Sequence, residues 1–321
     1  MSKRRRVTMW ILAIVLLIAI AGFLALRWAI ATNGPAVLDT VDRITGGGRD
    51  VELVHSDQYG DAPAQKIRVY APDPALASSG KPFEPRPVII FEHGGSWSWG
   101  DPDNYGFIGR ALVPEGFVVV LAGYRLHPNV QFPAMLEDAA SAIAWTRENI
   151  ADYGGDPDRI VLAGHSAGAY NVVMTALDQQ WMEKAGLPES SIAGVIGLAG
   201  PYDFYPFDSD STKASFGSAP DPESTQPINY ARGNAPPMLF IHGEKDTTVR
   251  PRNSRVLKQA ITAAGGSARA EFFPEMDHSR PLMALASPYR RDPAVFDLVA
   301  EFARTVTSKP KVSVPVQDET R

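Results

Sequence analysis

Beyond residue 50, short apolar runs recur along the chain, separated by polar or helix-like stretches. VELVH (51–55), KIRVY (66–70), PVIIFEH (87–93), FVVVLAG (117–123), RIVLAGH (159–165), IAGVIGLAG (192–200), PMLFIHG (237–243) and ARAEFF (268–273) read as strands. Several later runs are apolar at every position, as strands buried on both faces require. The first two, joined by SDQYGDAPAQ, read instead as an antiparallel hairpin. Between the later runs the apolar period lengthens. Met135, Leu136, Ala139, Ile143, Ala144 and Ile150 fall on one face of a helix that starts near Pro133 and stops at Gly154-Gly155. Further helices are expected after Ser166, from about Asn253 to Ala264 and from Pro293 to about Thr305. Strands alternating with helices imply an α/β fold: a mostly parallel, eight-stranded sheet flanked by helices.

The first fifty residues follow a different pattern. Lys3, Arg4, Arg5 and Arg6 close a basic segment (1–8), and residues 9–30 are apolar apart from Arg27. At 1.5 Å per residue this stretch is long enough to cross a hydrocarbon core of about 30 Å, and Arg27 near its far end can snorkel to the headgroups. The excess of basic residues before it places the N-terminus in the cytoplasm and the remainder on the other side. Ala29-Ile30-Ala31 also has the small-x-small pattern of a signal-peptidase site, so cleavage and secretion stand as the alternative. Residues 31–50 read as a spacer, in which Gly46-Gly47-Gly48 would break any helix begun at Val37. The main α/β unit is expected over 51–307, with an irregular insertion at 201–236 and a disordered tail at 308–321.

Composition narrows the chemistry. The chain of 321 residues is 45% hydrophobic and 21% charged, enough apolar material for one large core. Its net charge of −5 and scattered basic residues give no footprint for nucleic acid. The absence of cysteine excludes disulfides, thiolate metal sites and a cysteine nucleophile. The six histidines show no metal-ligand spacing, and neither a metal nor a cofactor is expected.

Within VLAGHSAGAY (161–170), Ser166 stands between an apolar strand and a helix start, flanked by Gly164 and Gly168. This is the setting of a nucleophile elbow, though a plain tight turn has the same local pattern. A nucleophilic serine needs a base and an orienting acid, which follow it in the order Ser, Asp/Glu, His. Only His242 and His278 follow; His242 ends a core strand and reads as structural, whereas His278 lies in the loop after the last strand. The acid candidates are Asp203, Glu244, Asp246, Asp277 and Asp292, among which Asp246 is favoured because it follows a strand's carboxyl end. Upstream, FEHGGSWSWG follows another strand, and the amides of Gly95 and Ser96, with that of Ala167, are candidate oxyanion donors. His93 reads as a loop organiser. Trp97, Trp99 and Tyr105 are candidates for a substrate pocket, or else plain core.

Taken together, HGGSW, YRLHPNVQFPAMLEDAASAIAWTRENIADYGGDPDRIVLAGHSAGA, IHGEKDTTV and MDH resemble the α/β-hydrolase-fold serine esterases, in particular bacterial carboxylesterases of the feruloyl-esterase-like and hormone-sensitive-lipase-like groups. The resemblance covers about residues 50–305. It implies Ser166 as nucleophile, His278 as base, Asp246 as orienting acid, and an oxyanion hole from the loop holding Gly94, Gly95 and Ser96. Ser96 stands where the lipase-like branch carries a third glycine, which favours the feruloyl-esterase-like or formamidase-like branch. The implied substrate is a small-molecule ester. Amide cleavage of the arylformamidase type and acyl transfer are the alternatives on the same triad.

Overall fold

The computed structural model describes residues 3–46, 48, 50–72, 84–290 and 293–308. The expected tail lies, apart from Ser308, outside the described residues. Eight strands form one sheet: β1 (Val51–Gln58), β2 (Lys66–Pro72), β3 (Arg86–Glu92), β4 (Val118–Ala122), β5 (Gly155–His165), β6 (Ile192–Leu198), β7 (Met238–Gly243) and β8 (Ala268–Phe273). Their spatial order is β1-β2-β4-β3-β5-β6-β7-β8. β2 runs antiparallel to both β1 and β4, and every pairing from β4 through β3 to β8 is parallel. The chain therefore reverses its winding at β3, and sites in open α/β sheets assemble beyond the carboxyl ends of strands near such a switch.

Alternate residues of each strand feed opposite faces. Val119 and Leu121 of β4 pack into one core layer, with Phe107 and Leu112 of α2 (Gly106–Leu112) and Val299 of the last helix (Ala294–Thr307). Val118 and Val120 pack into the other. That layer holds Ile143 of α3 (Ala134–Asn149), Val172 and Val173 of α4 (Ala167–Leu177), and Leu257 and Ile261 of a helix over Arg252–Ala263. The central strands are covered on both sides, which explains their uninterrupted apolar sequences.

The first helix, α1, spans Lys3–Ile44, with non-helical torsions at Asn33 (φ −152°, ψ 71°). It is long and apolar enough to cross a membrane: its most apolar 18-residue window has a mean hydropathy of 2.9 and none of it is buried. The break at Asn33 has a local cause. Asn33 Oδ1 accepts the Ala36 amide at 3.2 Å, and Pro35 sits in the first turn that follows, so Asn33 caps a second helical segment.

That second segment replaces the expected spacer. Val37, Leu38, Val41 and Ile44 share one face of it, and Leu38, Asp39 and Asp42 are buried against the catalytic unit. Arg110 of α2 donates from Nε to Asp42 Oδ2 at 2.7 Å and from Nη2 to Asp39 Oδ1 at 2.6 Å. Asp42 Oδ1 accepts the Ser287 amide at 2.6 Å. Two acidic residues that read as a solvated linker are thus the buried half of an ion-pair cluster.

The 201–236 insertion contains a short helix over Asp210–Phe216 and sends Phe204, Phe207 and Phe216 into an aromatic cluster with Tyr170. It braces α4 from the side.

Candidate active site

β5 ends at His165, and the chain turns at once into α4 through Ser166, whose φ of 54° and ψ of −117° lie where non-glycine residues are rarely found. Such a torsion costs about 1–3 kcal/mol and is held by its surroundings. Here the Ser166 amide donates to the Leu198 carbonyl at 2.8 Å, fixing the elbow to the end of β6. The flanking glycines are required by close approach. A Cβ on Gly164 would lie 2.4 Å from the Gly168 carbonyl, and one on Gly168 would lie 2.2 Å from the Glu92 carbonyl oxygen. The helix start is thereby packed directly onto the end of β3.

The loop after β8 carries His278 over this elbow. Its Nε2 lies 3.0 Å from Ser166 Oγ and its Nδ1 lies 2.7 Å from Asp246 Oδ2. The other carboxylate oxygen of Asp246 accepts the amides of Thr248 and Val249, both at 2.9 Å. Burial alone would push the Asp246 carboxyl upward, but hydrogen bonds from His242 and His278 and the Val249 amide hold it well below the usual carboxylate range. Asp246 Oδ2 thus faces His278 Nδ1, while His278 Nε2 faces the Ser166 hydroxyl.

The other acid candidates are engaged elsewhere. Asp203 pairs with Arg252 at 2.6 Å, and Glu244 pairs with Arg255. Asp277 accepts the amides of Ser279 and Arg280 and so shapes its own turn. Asp292 lies outside the described residues.

Opposite the serine is the loop after β3. Gly95, Ser96 and Trp97 have φ of 127°, 53° and 57° in succession, and a Cβ on Gly95 would lie 1.8 Å from the Trp99 carbonyl oxygen. This left-handed path folds the loop back toward Ser166. Among the described residues the amides of Gly95, Ser96 and Ala167 meet no acceptor. The Gly94 carbonyl is instead hydrogen-bonded to the buried His93 ring, 2.8 Å from its Nδ1. An ideal Cβ on Gly94 would stand 3.2 Å from that of Ser166, so Gly94 keeps the space beside Ser166 open.

The aromatic candidates divide. Trp99 and Tyr105 line a cavity of about 550 Å³ that contains Ser166, His278, Gly95 and Ser96. Trp97 is not among its lining residues: the left-handed turn at Ser96 and Trp97 carries the indole into the core, against Phe216 and Tyr170, where its Nε1 donates to Asn171 Oδ1 at 3.1 Å. None of residues 201–236 lines the cavity either. Its roof is α1, through Val37, Leu38 and Val41 of the docked segment and Leu26 and Ile30 before the kink.

Three residues support the site in ways not singled out by sequence: His242, which reads as structural, His165 and Glu92. His242 hydrogen-bonds Asp246 Oδ2 at 3.2 Å and the Val249 carbonyl at 2.8 Å, both through Nε2, and Ser254 Oγ at 2.8 Å through Nδ1. Facing two acceptors, Nε2 must carry the proton, so His242 is a second donor to Asp246. His165 Nε2 meets the His278 carbonyl at 2.9 Å and so holds the backbone of His278. Burial, with nearby His278 adding to it, lowers His165 to about 3, so it acts as a neutral donor. The spacing of His242 and Asp246, four residues apart across a strand end, was a signal for the first contact. No local signal marked the second.

Glu92, at the end of β3, is the third. Burial raises its carboxyl to about 8, against the opposing hydrogen bond from Asn171 Nδ2 at 2.9 Å. At neutral pH it is protonated, while in the unfolded chain it ionises above about pH 4.3. A group raised on folding stabilises most below its unfolded value, and that stability is lost as pH rises through its folded value. Replacing Glu92 by Gln keeps the acceptor without the titration. Thermal unfolding between pH 5 and pH 8 is expected to show the variant gaining on the wild type as pH rises, by up to ~1.4 kcal/mol per pH unit. A difference independent of pH would show that Glu92 is not buried as a neutral acid.

Known proteins share much of this frame. A model of the BD-FAE family matches residues 77–261. The esterase LipC of Mycobacterium tuberculosis is 32% identical over 267 residues, 76% of this chain and 62% of its own length. LipQ of the same organism is 33% identical over 221 residues, 64% of this chain and 52% of its own. Isoprenylcysteine alpha-carbonyl methylesterase ICME of Arabidopsis thaliana is 27% identical over 242 residues, 69% and 55% respectively. The chain thus spans between half and two thirds of the length of these relatives. Among solved structures, a truncated carbohydrate esterase from gut microbiota superposes with a TM-score of 0.69 at 22% identity, covering 82% of this chain and all of that one. Thermogutta terrifontis esterase Est2 superposes with a TM-score of 0.63 at 23% identity, covering 80% and 94%. At these identities the likeness bears on the fold, which is that of the α/β hydrolases.

Proposed function

The chain belongs to the BD-FAE family, and on that premise we propose that it is a serine carboxylesterase, anchored by its N-terminal span, with Ser166, His278 and Asp246 as its triad. One observation carries the reading: a continuous run of hydrogen bonds from Ser166 Oγ through both ring nitrogens of His278 to Asp246, facing three unengaged amides.

The chemistry follows from that geometry. Ser166 Oγ attacks the ester carbonyl while His278 Nε2 takes its proton, and the imidazolium so formed is stabilised by Asp246. The carbonyl oxygen becomes an oxyanion, which the Gly95, Ser96 and Ala167 amides stabilise more strongly than the neutral ground state. The positive end of α4 adds to that preference. His278 then protonates the departing alcohol. Water enters, gives a proton to the same nitrogen and attacks the acyl-enzyme; as the bond to Ser166 Oγ breaks, His278 passes that proton to Oγ, which releases the carboxylic acid and restores both residues.

The helix of α1 is unbroken through residue 32, and only the kink at Asn33 separates it from the docked segment, which supports an anchor over a cleaved signal. Cleavage after Ala31 would strip Leu26 and Ile30 from the cavity wall. The test is a substrate panel on the full-length protein in detergent, comparing p-nitrophenyl acetate and butyrate with an N-formyl anilide. Turnover of the esters is expected. Turnover of the formanilide alone would move the assignment to amide cleavage, and turnover of none would end it.

A further inference from the structure

We propose that the substrate is a lipophilic ester taken from the bilayer leaflet beside the anchor, with its hydrocarbon part housed against the anchor helix itself. The proposal rests on the reading of the chain as an anchored esterase and adds the class of ester and its route.

The cavity that holds Ser166 is continuous with the membrane-facing part of α1. Ser166 and His278 line it together with Val37 of the docked segment and Leu26 and Ile30 of the span. Leu26 and Ile30 stand one helical turn apart and share a face. Leu26 lies four residues inside the end of the apolar stretch, about 6 Å deeper along the helix than Ile30 at 1.5 Å per residue. A wall residue at that depth is already within the hydrocarbon, and Leu26 is 50% exposed, so one side chain borders both the cavity and the surface that meets lipid.

Aromatic side chains surround the same level. Trp99 lines the cavity yet is 50% exposed, and Trp28, two residues beyond Leu26, is 70% exposed. Indoles gather where hydrocarbon meets headgroups, so both are placed for that boundary. A small, water-borne ester would need no wall at bilayer depth. A hydrocarbon chain sliding from the leaflet along Leu26 and Ile30 would stay in apolar surroundings until its ester reached Ser166. The volume of about 550 Å³ lies in the range of pockets that enclose a whole small ligand.

The ion pairs of Arg110 with Asp39 and Asp42 make this arrangement fixed: they clamp the segment that joins the span to the catalytic unit. The docked segment is therefore held beside Ser166, and the end of the span before the Asn33 kink lines the same cavity through Leu26 and Ile30.

The experiment uses the full-length protein reconstituted in phosphatidylcholine vesicles. Hydrolysis of p-nitrophenyl acetate and octanoate is measured, together with that of a fluorogenic long-chain ester dissolved either in the same vesicles or in separate ones. Each methylene buried is worth about fourfold, so housing part of the longer chain is expected to raise kcat/KM for octanoate over acetate by about tenfold or more. The long-chain ester is expected to be hydrolysed in the shared vesicles and spared in the separate ones. Ile30→Trp and Val37→Trp, which fill the cavity, are expected to lower the octanoate-to-acetate ratio about tenfold. Acetate turned over as well as octanoate, or long-chain ester cleaved equally from separate vesicles, would overturn the proposal while leaving the esterase reading intact. Absence of any ester turnover would overturn both. The wild-type comparison decides the matter even where a tryptophan variant does not fold.

Discussion

Ester hydrolysis by the Ser166→Ala protein is expected to fall by about 10⁴-fold or more in kcat, because the variant loses the atom that forms the acyl-enzyme. His278→Ala is expected to fall as far, and the double variant no further. Residues that act as one unit do not contribute additively, and the chain of hydrogen bonds from Ser166 to Asp246 is such a unit. What remains would come from the Gly95, Ser96 and Ala167 amides and from binding. Steady-state kinetics on a soluble short-chain ester measures the loss. Thermal unfolding of the Ser166→Ala protein, expected within about 1 kcal/mol of the wild type, shows that it is chemical and not structural. A double variant far weaker than either single one would mean that the two residues do not share a step.

The second large effect is on stability. Arg110→Met is expected to cost about 3–5 kcal/mol, since it strips two buried carboxylates of the guanidinium they share, leaving Asp39 the exposed Arg43 and Asp42 the Ser287 amide with Arg290 at 4.0 Å. Asp42 has no exposed side-chain surface and Asp39 very little. The loss should be felt first where the clamp acts, by release of the segment that caps it, and limited proteolysis of the detergent-solubilised protein should find new cleavage within residues 31–50. Replacing Asp39 and Asp42 by Asn in the Arg110→Met background is expected to restore much of the stability, because no ionised group is then stranded in the interior. The partner on the rim behaves differently: Arg43, bonded to Asp39 but 69% exposed, should be dispensable to within about 1 kcal/mol. An Arg110→Met protein as stable and as protease-resistant as the wild type would contradict the docked arrangement.

That clamp also marks where sequence reading stops. The eight apolar runs coincide with the eight strands, and in the inner strands, β3 to β7, burial on both faces writes the environment into most residues, whereas the edge strands β1 and β8 have no buried position. The hairpin character of the first two is likewise visible, since they lie at the sheet's antiparallel edge. Ser166, Asp246 and His278 could be sought by chain order, because each follows the carboxyl end of a strand and the fold brings those ends together. Asp39 and Asp42 carried no such mark. Their partner Arg110 lies about seventy residues away on another helix, and an acidic turn of helix beside glycines has the composition of a solvated linker. The cap formed by Asn33 and Pro35 was the local signal for that helix.

Side-chain direction was the other gap. Trp97 and Trp99 both follow the HGG motif, yet one is core and the other borders the cavity, because three successive left-handed residues turn the first inward. His242 reads as a buried strand end and is one, but burial and support of Asp246 are compatible, since the strand's last side chain meets the turn that follows it. The 201–236 insertion, rich in aromatics and proline, has the look of a lid. Its aromatic residues are spent bracing α4, and the cavity is roofed from the N-terminal side instead.

The central claim is that Ser166 is an activated nucleophile, and fluorophosphonate labelling tests it most directly. A probe of this class reacts with a serine hydroxyl only where a base takes its proton and donors stabilise the charged oxygen. Peptide mass spectrometry of the labelled full-length protein is expected to show one adduct per chain, on the peptide containing Ser166, and none on that peptide after His278→Ala. An unlabelled protein, or an adduct on another serine with Ser166 intact, would contradict it.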